Sequence, residues 1–404
     1  MVAVYLSPLY MLWNIVQLVW IMRWMQACHG IFRTVAARTI VVLVYMFFAM
    51  SLLVAFFLPA SRLQRVMKLI SNYWLGVLLY MTMTIGAALI LHFILYRISF
   101  GKKALLFSRG GSVITGAVCA VIVLAVSIYG MINARTIRMT RYEVTIDKPC
   151  EGLKQPLRIA LVADLHLGYN ISNGSMKTMV EKINAENPDL VVIAGDIFDN
   201  QYEALEDPEE LAQILSGLQS RYGVYACYGN HDIEEPILAG FTFASKEKKQ
   251  SDPRMDALLK KADIKLLRDE GVLIDDLFYV YGRPDYERPG RGIEVRKTPA
   301  EITADMDNSR PILVIDHEPR ELQELADAGV DLDLSGHTHD GQVFPANIIT
   351  DLKWENSCGY LKKDNMHSIV TSGIGVFGPF MRVGTKSEIC IIDVNFANDF
   401  ANGV

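Results

Sequence analysis

Aspartate and glutamate are missing from the first 142 residues, which carry 13 Lys and Arg between Arg23 and Arg141. That absence divides a chain of 404 residues, long enough for two or three domains. The remainder holds all 45 acidic residues against 26 basic ones. Such a balance argues against broad, charge-driven contact with nucleic acid, which needs a positive surface to meet phosphate. No C-x-x-C pair occurs among the six cysteines, Cys28, Cys119, Cys150, Cys227, Cys358 and Cys390, so neither a zinc ribbon nor a dithiol redox motif is indicated. Cys227 lies in an apolar run and reads as a small core residue. Internal repeats and low-complexity linkers are absent as well.

Within the acid-free third, four apolar stretches stand out at about 2–22, 40–58, 73–96 and 113–132. Each approaches the roughly 20 residues a helix needs to cross about 30 Å of hydrocarbon. Trp20, Trp24, Tyr73 and Trp74 fall near their ends, where amphipathic rings favour the interface. The first stretch lacks a basic leader and a small-residue cleavage site, so it reads as a retained helix. The prediction for 1–134 is therefore a bundle of four transmembrane helices. The spans hold no acidic residue and no paired helix-breaking segments, which favours anchoring over transport. Loops after the first and third spans carry Arg23, Arg33, Arg38, Arg97, Lys102, Lys103 and Arg109; the other side carries Arg62, Arg65, Lys68, Arg135, Arg138 and Arg141. With a basic-free N-terminus, this distribution points to an outside N-terminus in the cell membrane and an extracytoplasmic C-terminal domain.

Residues 135–156 read as a linker and leading strand, Arg141 to Lys148 alternating like an exposed strand. Leu157 to Ala163 is a buried strand that ends at Asp164, Leu165 and His166. Helical spacing from Met176 to Glu186 stops before Asn187-Pro188 and leads to a second buried strand. That strand, Val191-Val192-Ile193-Ala194, ends in Gly195-Asp196-Ile197-Phe198-Asp199 and completes a β-α-β unit. Further strands end at Gly229-Asn230-His231-Asp232, at Asp316-His317 and at Gly336-His337-Thr338-His339. Alternating strands and helices, followed by strands in succession, predict an α/β sandwich of two mixed β-sheets flanked by helices over 157–396. Residues 397–404 are left as a tail.

Five of the eight histidines, His166, His231, His317, His337 and His339, thus sit at strand ends beside Asp164, Asp196, Asp199 and Asn230. Imidazoles, carboxylates and an amide oxygen without thiolate select divalent ions such as Mn, Fe or Zn rather than a structural thiolate zinc. The ligands are too many for one ion, and a central carboxylate could bridge two. A pair of ions about 3.5–4 Å apart suits in-line displacement at phosphorus.

The ordered blocks D-x-H, G-D-x-x-D, G-N-H-D, a lone His and G-H-x-H resemble the calcineurin-like metallophosphoesterase superfamily over about Leu157 to Val394. Gly336 to Gln342, Thr371 to Gly375 and Ser387 to Ile389 resemble in particular its membrane-associated bacterial, YkuE-like branch. The resemblance implies that Asp164, His166 and His339 bind a first metal, that Asp196 bridges, and that Asn230, His317 and His337 bind the second. It also implies that His231 protonates the leaving oxygen while Asp199 orients it. The implied protein is a membrane-anchored phosphohydrolase cleaving a mono- or diester by metal-activated hydroxide attack. Two divalent metals, Mn foremost, would be its cofactors. A bilayer anchor suggests a phospholipid or nucleotide-linked lipid as substrate. The alternative is a metal-binding sensor or scaffold that does not turn over. One departure is Asp340, where that branch often has Gly: it is either a partner that orients His339 or a solvated loop residue. Arg283 and Arg382, in Gly/Pro-rich loops, are candidates to meet substrate phosphate, or else ordinary surface arginines.

Overall fold

The computed structural model of the protein describes residues 2–59, 61–98, 108–233, 237–238, 241–242 and 250–397. Lys102, Lys103 and residues 398–404 of the predicted tail lie outside the described residues. The chain divides into a helical unit, which runs to Ile132 and takes in the short segment Gly378–Met381, and a larger α/β unit.

The helical unit contains α1 (Val2–Cys28), α2 (Val35–Phe57), α3 (Arg62–Arg97) and α4 (Arg109–Arg135). Thr34 and Ser61 cap α2 and α3, each side chain accepting a backbone N–H of the first turn. Among the described residues α2, α3 and α4 are long and apolar enough to cross a membrane. The first predicted span also forms one helix, but Pro8, Asn14 and Gln17 dilute its apolar character, and a fourth crossing is not shown. Asn14 and Gln17 are buried and turn their amides inward. The Asn14 amide donates to Tyr10 O and accepts from the Tyr45 hydroxyl, and Gln17 Nε2 donates to Thr82 Oγ1. Those bonds meet the cost of burying an amide among apolar helices.

The α/β unit is two six-stranded sheets stacked face to face. The first contains β1 (Ile137–Ile146), β2 (Leu157–Val162), β3 (Leu190–Ala194), β4 (Val224–Cys227) and β5 (Ile264–Leu266). The second contains β6 (Glu270–Ile274), β7 (Phe278–Gly282), β8 (Ile312–Ile315), β9 (Leu332–Ser335), β10 (Gly359–Lys363) and β11 (Met366–Val370). The closing strand β12 (Ser387–Phe396) returns to the first sheet between β1 and β2, antiparallel to β2. The leading strand begins at Ile137 rather than Arg141 because it pairs in parallel with β12 over its whole length, Ile137 against Ser387 to Ile146 against Phe396.

Strands β2, β3 and β4 are mutually parallel, as are β7, β8, β9 and β11. Their Val, Ile and Leu side chains meet in one core that includes Ile159, Leu161, Val192, Leu313, Ile315, Leu334 and Ile369. Each such side chain, fully removed from water, contributes about 1.5–3 kcal/mol. Burial on both faces explains why these strands read as unbroken apolar runs. Helices α5 (Asn173–Ala185), α6 (Pro208–Leu215), α7 (Pro253–Lys261), α8 (Pro299–Thr303) and α9 (Leu322–Asp327) connect the strands. Helix α8, a further helix α10 (Ala346–Lys353) and the edge strand β10 are not among the elements that the sequence pattern predicts. The two-sheet α/β sandwich itself is observed. Its consequence for function is that β2, β3, β4, β8 and β9 all deliver their C-terminal ends, where open parallel sheets place their chemistry, to one place.

Candidate metal centre

Each predicted residue lies in the first turn beyond a strand, and the backbone there is unusual. Asp164, His166, Asp196, His337 and His339 all have positive φ, from 45 to 71°. Non-glycine residues pay roughly 1–2 kcal/mol for this region, so the packed sheets hold the ligand loops in a conformation the residues would not choose. Two glycines permit the approach: a Cβ on Gly229 would lie 2.3 Å from Asp196 Oδ1, and one on Gly336 would lie 2.6 Å from Asp164 Oδ2.

The side chains converge in two groups around Asp196. In the first, His166 Nε2 and His339 Nε2 are 3.0 Å apart, with Asp164 Oδ1 3.5 Å from the latter and Asp196 Oδ2 3.8 Å from the former. In the second, His317 Nε2 lies 3.3 Å from Asp196 Oδ2, 3.2 Å from Asn230 Oδ1 and 3.1 Å from His337 Nδ1. His337 Nδ1 is also 3.1 Å from Asn230 Oδ1. Asp164 accepts the His337 backbone N–H, which ties the two groups together. All seven predicted ligands are therefore brought together, and His231 and Asp199 stand beside them, His231 Nδ1 being 3.4 Å from Asp199 Oδ1.

The donor set fits divalent cations. Ligands about 2.1 Å from one ion and at right angles to each other lie about 3.0 Å apart, which is the spacing of these ring nitrogens and oxygens. Tautomers suit the same use. His317 Nδ1 sits 3.0 Å from Ala194 O, the contact of an N–H donating to a carbonyl, and this turns Nε2 toward Asp196 as the nitrogen left for a cation, whose binding would displace the proton Asp196 holds there. Glu318 Oε1, 3.3 Å from His337 Nε2, leaves His337 Nδ1 free in the same way. Among the described residues, three groups of His and Asp side chains could each hold an ion by proximity: Asp164, His166, His339; Asp164, Asp196, His317; and His166, Asp199, His231.

Electrostatics point in the same direction. Burial, with the Asp196 charge adding to it, raises Asp164 to about 6. Burial also pushes His339 and His337 well below the imidazole range, helped by His166 and His317 respectively, so both are neutral and able to ligate. Against the effect of burial, Asp196 holds His317 well above its ordinary value, and Asp196 and Asp199 raise His231. Asp196 itself is held well below the carboxylate range, because His317 and His231 outweigh its burial. A buried cluster that draws protons onto its imidazoles is short of positive charge.

Residues 157–341 match the family model described as calcineurin-like phosphoesterase. The chain carries a calcineurin-like phosphoesterase domain. It is 32% identical over 284 residues to a transmembrane protein with metallophosphoesterase domain from Danio rerio, covering 67% of this chain and 61% of that protein. It is 30% identical over 258 residues to an uncharacterized metallophosphoesterase of Campylobacter jejuni, covering 62% of each. A UDP-2,3-diacylglucosamine pyrophosphatase of Chlamydia trachomatis, LpxG, is 26% identical over 253 residues, 53% of this chain and 74% of that protein. The chain thus spans about three-fifths of the length of the first two relatives.

Around the ligands of this phosphoesterase domain, the structure reveals supports that sequence spacing alone does not. Asp232 Oδ1 accepts Phe198 N at 2.8 Å and its Oδ2 accepts Gly229 N at 2.7 Å, so one buried carboxylate clamps the Asp196–Asp199 loop to the Asn230–His231 loop. Phe377 packs its ring against His339, His166 and His231, with centroids 4.9, 6.0 and 6.4 Å away. Gln342 holds Phe377 by accepting its N–H and donating to its carbonyl.

Neither candidate phosphate arginine is free to meet a substrate. Arg283 is fully buried and paired with Asp316 at 2.7 Å and Glu321 at 2.6 Å; Arg296 shares both carboxylates. Arg382 is fully buried in a cage of carbonyls, donating at 2.7 Å to each of Ser372, Gly375 and Lys386. Burial lowers its pKa to about 10. Both are internal braces of the loops that carry His317 and His339. Asp340 is half-buried, its carboxyl raised by burial and bonded to the Thr385 hydroxyl, which also lies 3.1 Å from His339 O. It is an anchor for the ligand loop's backbone rather than a partner of the imidazole.

Proposed function

We propose that this protein is a membrane-anchored, two-metal phosphohydrolase. The observation that carries the reading is the pair of ligand groups sharing Asp196, with His231 and Asp199 at their edge. Asp164, His166 and His339 would hold one ion, Asn230, His317 and His337 the other, and Asp196 both. Two bound divalent ions supply an activated water and neutralise phosphoryl oxygens. In hydrolysis a water oxygen would join phosphorus, its proton passing to solvent, as the bond to the leaving oxygen breaks. His231 gives that oxygen its proton, and Asp199, accepting from His231 Nδ1, fixes the ring for the transfer. Phe377 and the walls of the loops keep the imidazoles oriented.

Manganese is the proposed metal, with iron or zinc as alternatives, since the donors are nitrogen and oxygen only. The substrate class is a phosphoester in or near the bilayer, a phospholipid or a nucleotide-linked lipid. Support comes from the apolar helices and from the similarity to LpxG, whose name specifies a lipid-linked pyrophosphate. The four apolar stretches support four crossings of the cell membrane, and the charge distribution in the loops supports a catalytic unit outside the cytoplasm.

Purified full chain in detergent, loaded with manganese, should hydrolyse bis-p-nitrophenyl phosphate, and a chelator should abolish the rate until manganese is restored. A protein that binds two ions yet cleaves neither this diester nor p-nitrophenyl phosphate would be the sensor or scaffold instead. A C-terminal alkaline phosphatase fusion, which folds only outside the cytoplasm, should be active in cells; an inactive one beside an active cytoplasmic reporter would reverse the orientation.

A further inference from the structure

Helix α10 turns its apolar side chains outward. Ile348, Ile349 and Leu352 are 50, 66 and 84% exposed, and none of the helix's residues is buried. Three and four residues apart, they form one ridge, and Phe344, 43% exposed, stands just before it. An amphipathic helix in a domain surrounded by water buries such a ridge; leaving it outside marks a contact surface.

The helix is fastened to the metal centre at both ends. Gly341, two residues past His339, has φ +72°, and a Cβ there would lie 2.2 Å from Asn347 N, so α10 starts directly against the ligand loop. Trp354, which follows α10, packs edge-on to the His337 ring with centroids 5.3 Å apart. Lys353 and Arg320 lie over the same indole at 4.8 and 5.1 Å. Aliphatic residues beside an indole and a cation are the composition of an interfacial element: the ridge suits acyl chains, the ring the headgroup level, and Lys353 lipid phosphates, while Arg320 is paired with Glu318 at 2.6 Å.

We propose that α10 docks on the bilayer surface, its ridge among the acyl chains, and so presents lipid phosphoesters to the metal centre. The occupant is the membrane that the chain's own apolar helices imply. The proposal rests on the phosphohydrolase reading and its lipid substrate class, and adds to them the surface that selects such a substrate.

The test uses full chain in nanodiscs of phosphatidylcholine and phosphatidylglycerol with manganese. Its probes are dioleoyl-phosphatidyl-p-nitrophenol in the bilayer and bis-p-nitrophenyl phosphate in the water. The double variant Ile349→Ser, Leu352→Ser is expected to lose about tenfold or more on the lipid probe, the equivalent of unburying one aliphatic side chain. Its rate on the water-soluble probe should stay within about twofold of the parent. Equal rates on the lipid probe, or a parallel fall on both, would overturn the docking role. Absence of any activity in the parent would instead remove the hydrolase reading, and docking is then decided without turnover. A fluorophore on Leu352→Cys, with the exposed native thiol removed by Cys28→Ser, should be shielded from aqueous iodide in nanodiscs and quenched by brominated acyl chains. Free quenching by iodide would refute docking outright.

Discussion

Replacing Asp196 by asparagine is expected to lower hydrolysis of bis-p-nitrophenyl phosphate by about 10³-fold or more and to leave fewer than two manganese ions per chain. Removing one electrostatic stabiliser of a transition state typically costs 10²–10³, and this carboxylate faces both ligand groups. Its Oδ2 is 3.3 Å from His317 Nε2 and 3.8 Å from His166 Nε2. The substitution is isosteric, so the backbone bond from His231 N to Asp196 Oδ1, 2.7 Å long, can be kept by the amide oxygen. Loss of activity should therefore come without loss of the fold, which a thermal melt of the metal-free protein checks. Two tightly bound ions together with more than about a tenth of the activity would refute the bridging role, because a neutral amide cannot hold two cations as a shared carboxylate does.

Much of this centre was legible because buried parallel strands leave a clean signature. Runs such as Leu157 to Val162 and Leu190 to Ala194 are apolar throughout, and the first polar residues beyond them have to be in the loops at the sheet's C-terminal edge. Histidines recurring at four such ends then point to one cluster. What the sequence could not convey was reach. Asp232 looks like one more loop acid until its two oxygens are seen to bind amides of two different loops. Arg283 and Arg382 stand in loops rich in Gly and Pro, where exposure is the ordinary expectation, yet Asp316 and Glu321, distant in the chain, take the first inside, and carbonyls of its own loop fold around the second. Helix α10 escaped for a different reason. Periodicity reveals a helix through the stripe it buries, and α10 buries none. The first apolar stretch shows the converse, since composition alone does not reveal that Asn14 and Gln17 would find partners inside the bundle.

Removing the His231 imidazole should produce a second large loss, and one that depends on the leaving group. His231→Ala is expected to slow an alkyl phosphodiester by about 10²–10⁴, the usual range for a positioned general acid, and to slow bis-p-nitrophenyl phosphate much less, because p-nitrophenolate departs without a proton. The placement supports this. His231 is buried, its Nδ1 is 3.4 Å from Asp199 Oδ1, and the carboxylates of Asp196 and Asp199 raise its pKa despite burial, so the proton to be donated is retained. Asp199→Asn should show the same leaving-group dependence with a smaller loss, since the amide oxygen can still accept from Nδ1 but the negative charge that helps the ring hold its proton is gone. His166, Asp199 and His231 also lie close enough to hold an ion among themselves, and metal content separates the two roles. An acid can be deleted with both ions retained; a ligand cannot. Two ions per chain in His231→Ala, with the alkyl ester rate lost, identifies the acid, whereas equal slowing of both esters with one ion gone would make His231 a ligand and leave the leaving oxygen to be protonated by another group.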